Sequence, residues 1–145
     1  MKRAWLIGAL AMFGGSVVAT AQAQEMAQSE APQDAQAYII SPQDGEVVNS
    51  TFKVKFGLSG MGVAPAGVDV KNTGHHHLLV DMDSLPPMDQ PMGGDIIHFG
   101  GGQTETTVTL EPGEHTLQLI LGDKNHVPHE PVVMSKKITI TVKED

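Results

Sequence analysis

The sequence predicts an all-β fold: a two-sheet Greek-key sandwich of about seven or eight strands, following a signal peptide and a flexible leader. Three observations carry this reading. Apolar residues alternate with polar ones at a period of two, as in Phe52, Val54, Phe56 and Leu58 against Lys53, Lys55 and Gly57. Turn residues such as Asp44-Gly45 and Pro112-Gly113 separate these stretches. No part of the chain beyond the leader shows a helical period.

In chain order, Lys2 and Arg3 form a basic start and an apolar stretch runs from Ala4 to about Val18. Ala19-Thr20-Ala21 and Ala21-Gln22-Ala23 are small-x-small cleavage signals, so residues 1–23 read as a secretory signal peptide, cut near Ala21 or Ala23. The apolar run is too short to span a membrane, and no insertion is expected after cleavage. The chain of 145 residues then keeps 145 − 23 = 122. Residues 24–36 are rich in Ala, Gln, Ser and acidic side chains without apolar period, and read as a flexible leader. The domain is expected over 37–145. Its strands are placed at about 37–41, 51–58, 75–81, 96–99, 104–110, 115–121 and 133–142, with long loops over 59–74 and 81–95.

About 120 residues make one domain able to bury roughly two thirds of its unfolded surface. With no Cys, thiolate chemistry and disulfides are excluded, and stability rests on the core. The net charge of −8, or −10 once Lys2 and Arg3 are removed, argues against nucleic acid and anionic lipid as partners and suits cations. The signal points to the periplasm.

Leu110-Glu111-Pro112-Gly113-Glu114-His115-Thr116-Leu117 resembles the turn that leads into the sixth strand of immunoglobulin-like domains, with His115 where those domains often place a corner tyrosine. A structural role is expected for His115. In such a sandwich the loops after the second, fourth and sixth strands share one end. His75, His76 and His77 open the third strand there, His98 closes the fourth, and His126 and His129 lie in the loop after the sixth. Six of the seven histidines therefore gather at one pole, where Met61 can join them.

Strand alternation puts His75 and His77 on one face and His76 on the other. His75 and His77 with His126 and His129 are the leading metal ligands, His76 a substitute, and His98 and Met61 further candidates. Several imidazoles without a thiolate suit a divalent ion, copper ahead of zinc in the stability order, and no organic cofactor is implied. Met82, Met88 and Met92 offer soft thioethers for copper(I), but the strand assignment puts their loop at the opposite pole. The competing reading makes the histidines structural, hydrogen-bonded to loop carbonyls, in a cell-envelope module that binds another protein.

Other chemistry has little support. Asp123-Lys124-Asn125 begins like a calcium loop, yet Val127 and Pro128 stand where the loop needs other residues. Phosphate-loop, dinucleotide and nucleophile-elbow patterns are missing. A metal hydrolase needs a carboxylate base, for which Glu130 is the nearby choice, so a non-enzymatic binding protein is the expectation.

Four segments together carry a family resemblance: Gly60-Met61-Gly62-Val63-Ala64-Pro65-Ala66-Gly67, Asn72-Thr73-Gly74-His75-His76-His77-Leu78-Leu79, Pro112-Gly113-Glu114-His115-Thr116-Leu117-Gln118-Leu119, and Leu121-Gly122-Asp123-Lys124-Asn125-His126-Val127-Pro128-His129. They resemble the exported bacterial family known as domain of unknown function 4399, from about residue 38 onward. The resemblance implies the domain boundary and an exported setting, and no activity.

Overall fold

A computed structural model describes residues 26–144, so the signal peptide expected over 1–23 lies outside the described residues. Among them there are nine strands and no helix. The strands are β1 (Gln36–Ser41), β2 (Val47–Val48), β3 (Thr51–Ser59), β4 (Gly62–Val63), β5 (Thr73–Val80), β6 (Ile97–His98), β7 (Glu105–Thr109), β8 (Gly113–Gly122) and β9 (Ile138–Val142). One sheet has the order β1-β3-β7; the other runs β2-β9-β8-β5-β4, with β6 also paired to β5. This is the immunoglobulin-like two-sheet sandwich. The seven expected strands are all present, and β2 and β4 are short parallel additions to β9 and β5.

The core lies between the sheets. Val54 and Phe56 of β3 face Leu78 of β5, Leu117, Leu119 and Leu121 of β8, and Ile140 and Val142 of β9. Each fully buried side chain of this kind contributes about 1.5–3 kcal/mol. Alternation explains the choice: β5 and β8 pair as Leu78↔Leu119 and Val80↔Leu117, which turns those residues to the same face.

The last strand is shorter than the 133–142 expected. Residues 133–135 still pair with β8, through Leu121 N to Val133 O (2.8 Å) and Ser135 N to Leu119 O (2.9 Å). The Ser135 hydroxyl then accepts from Leu119 N at 2.8 Å, which takes the place of a ladder carbonyl and interrupts the strand before β9.

Strand β5 is buried on both faces, from Gly74 to Leu79. Its outer face, with Leu79 beside Ile120 of β8, is covered by a second small cluster that includes Met92 and Ile96. The described part of the expected leader also differs from a free tail. Ala31 N donates to Glu130 O (3.0 Å), Glu130 N to Ser29 O (2.9 Å) and Met26 N to Asp89 O (3.0 Å), and Ala31 is 7% exposed. Backbone pairing with the 123–130 loop holds this strap, a contact that composition alone does not signal.

At the opposite end, His115 plays the corner role. Its Nε2 donates to Glu111 O at 2.7 Å, and Nδ1 lies 2.6 Å from Asp81 Oδ2. A carbonyl and a carboxylate are both acceptors, so the ring is best satisfied when both nitrogens carry protons. Hydrogen bonding to Asp81 accordingly raises the His115 pKa above its ordinary value. Its folded pKa exceeds its unfolded one, so this stabilisation is complete below pH about 6.5 and fades as pH rises through the higher folded value. The difference in unfolding free energy between wild type and His115→Gln, followed by urea titration from pH 5 to 9, should therefore shrink as pH rises; a pH-independent difference rules the ion pair out.

Candidate metal centre

Two strands and one turn build the site. On β5, His75 and His77 alternate onto the outer face with Leu79, opposite Gly122 and Ile120 of β8. On its other edge β5 pairs with β6, which sets His98 directly across from His77. The fourth ring comes from the loop after β8. His126 has φ 65°, in the left-handed region that is uncommon for residues other than glycine but that histidine enters more readily than most. Asp123 O accepts from His126 N at 2.9 Å, and His126 O accepts from Met92 N at 2.8 Å, so the turn is held from both sides.

Two glycines make room. A Cβ on Gly122 would stand 2.5 Å from His77 Cε1, and one on Gly100 would stand 2.6 Å from His98 Nε2. Neither ring could keep its position beside a larger residue.

The result is four imidazoles in mutual contact. Ring centroids are 4.5 Å apart for His98–His126, 4.7 Å for His75–His77, and no more than 6.0 Å for any pair. One nitrogen from each of the four lies within 4.8 Å of the others. Four nitrogens around a tetrahedral ion at about 2.1 Å stand roughly 3.4 Å apart. The separations in the cluster therefore exceed that spacing by no more than about 1.4 Å.

The four rings could hold a metal ion, and their surroundings are mixed. His75 and His77 are 1% and 0% exposed, whereas His98 is exposed and His126 half-buried, which leaves an approach from solvent. His75 Nε2 and His126 Nδ1 are 3.0 Å apart and share a hydrogen bond. His75 Nδ1 and both nitrogens of His77 are buried without a partner. Each such orphan costs about 1–3 kcal/mol. Burial, and then the neighbouring His126 and His98, push the His75 pKa down to about 4; burial, and then His75, His98 and His126, push that of His77 to about 3, against a smaller upward pull from the His75 backbone, whose approach falls short of hydrogen-bond geometry. The inner pair is therefore neutral at pH 7, the form that binds metal.

The family model described as Domain of unknown function (DUF4399) matches residues 54–143. The chain belongs to the DUF4399 family. No curated protein and no solved structure matches it. All four clustered histidines fall inside the matched span, whereas the strap before β1 lies outside it.

Three of the expected site residues, His76, His129 and Met61, stand apart from the four rings. His76 points to the core face, its ring centroid 5.2 Å from that of Phe56, because strand alternation separates it from its neighbours. Its two unpartnered nitrogens sit in that core, and burial lowers its pKa to about 4. His129 donates from Nε2 to Thr73 O at 3.3 Å, and its ring lies against Gly74, whose position on β5 faces away from His75. Met61 packs against the main core.

The loop of Met82, Met88 and Met92, expected at the far pole, doubles back along the outer face of β5 and β8. The reason is hydrophobic: Leu79 and Ile120 need cover on that face. Met92 is thereby carried to the histidines. Its signal was present in the run His75 to Val80, which offers no polar residue suited to an exposed outer face once the histidines end.

Proposed function

We propose that this DUF4399 chain is an exported, non-enzymatic binding protein that holds one divalent transition-metal ion at His75, His77, His98 and His126, copper ahead of zinc, for sequestration or delivery. The observation that carries this is His77: wholly buried, with both ring nitrogens unpartnered, amid three other imidazoles. Two partnerless nitrogens are costly in a packed protein unless something else satisfies them. Four imidazole nitrogens without thiolate suit copper(II) and zinc, and copper(II) binds more tightly in the usual order. The group contains no carboxylate to act as a base, and Glu130 is exposed beside the strap, which favours holding an ion over hydrolysis. Export to the periplasm is supported by the basic and apolar start with its two small-x-small sites.

Untagged mature protein, stripped with a chelator and titrated calorimetrically with copper(II) and zinc, is expected to take up one equivalent with a Kd below about 1 µM for copper. A chain that stays metal-free at micromolar copper defeats the proposal.

A further inference from the structure

We infer that Met92 is a further ligand of this centre, a thioether that allows it to hold copper as copper(I) as well as copper(II); this rests on the metal reading above. Four methionines gather on the outer face of the six-stranded sheet. Met92 is buried with Leu79, Ile96 and Ile120, and Met82, Met88 and Met134 pack against them. Methionine commonly fills gaps beneath a loop, and that is sufficient reason for Met82 and Met88. The sulfur of Met134 already has a neighbour, Gln118 Nε2 at 3.8 Å.

Met92 differs from all three. The point where a Gly122 Cβ would stand is 3.1 Å from Met92 Cε and 2.5 Å from His77 Cε1, so thioether and imidazole border the same small space. The backbone of Met92 is also bonded to that of His126, through the 2.8 Å contact of its N with His126 O. One residue thus borders the same space as the buried His77 ring and is tied to the loop that carries His126. An unbranched side chain with three rotatable bonds can turn its sulfur toward the ion without moving the backbone.

The donor set then combines imidazoles with a soft thioether, the mixture that suits copper(I), whose single charge is also less costly beside the apolar Leu79, Ile96 and Ile120 than a double one. No electron transfer is involved, since each oxidation state is bound as supplied.

The test compares wild type, Met92→Leu and Met88→Leu, each confirmed folded by thermal unfolding. Copper(I) is supplied anaerobically in competition with a chromophoric cuprous chelator; copper(II) and zinc are titrated separately. Met92→Leu should weaken copper(I) by about tenfold or more and zinc by less than about threefold, with Met88→Leu like wild type. X-ray absorption of the copper(I) form should show a sulfur neighbour that Met92→Leu lacks. Wild type that binds copper(II) or zinc but shows no copper(I) loss in Met92→Leu overturns the thioether ligand and leaves the histidine centre standing. Equal loss for all three ions also overturns it, as a packing effect. A wild type that binds none of them overturns both.

Discussion

Replacing His77 by Leu is expected to stabilise the metal-free protein while removing most of its affinity for metal. His77 is 0% exposed and neither of its nitrogens has a partner, so the folded apoprotein carries two desolvated polar atoms. Leucine is of similar size and brings none. Loss of the ring contacts to His75, His98 and His126 offsets part of the gain. With each orphan worth about 1–3 kcal/mol, the net gain should be about 1–3 kcal/mol. The metal response has the opposite sign. A ligand at 100 times its Kd stabilises the folded state by about 2.7 kcal/mol, and the variant should lose nearly all of that. Urea unfolding with and without copper reads both effects at once. An apo variant less stable than wild type would show that these nitrogens are satisfied after all.

Asp123→Ala is expected to have the largest effect of the opposite kind, destabilising the fold by about 3 kcal/mol or more and weakening metal binding about tenfold. The side chain is 3% exposed and organises the loop from within. Oδ1 accepts from Asn125 N at 2.8 Å and Val127 N at 3.1 Å, and Oδ2 accepts from Ser29 Oγ at 2.7 Å. The first two bonds shape the turn that puts His126 into its left-handed conformation, and the third fastens the strap. Alanine leaves the buried amide of Val127 without its acceptor and frees His126 to relax away from His75. Asp123→Asn keeps Oδ1 as an acceptor and should retain more than half of the lost stability. Denaturant midpoints and copper affinities of the two variants check this. A change of less than about 1 kcal/mol in Asp123→Ala would mean that other contacts fix the turn.

Much of the fold is legible in local pattern. Alternation in 51–58, 104–110 and 115–121 marks β3, β7 and β8 to within a few residues, because a half-buried strand must repeat every two positions. The same rule separates His76 from His75 and His77. Placement of His126 near them follows from the loop order of a Greek-key sandwich. The failures have a common cause. The strap of residues 26–31, the return of the methionine loop and the turning away of His129 are set by contacts between distant segments, mainly backbone pairs and apolar cover that no local period encodes.

By itself, then, the amino-acid order determined the sandwich, the end of it at which the histidines lie, and the lack of any thiolate, since these follow from side-chain periodicity and composition. Only the tertiary structure decided which four rings meet, that two of them lose water without gaining partners, and that Met92 borders them. Those outcomes depend on how segments some 20 to 50 residues apart pack once the sheet is formed, and on two glycines whose missing Cβ atoms leave the space.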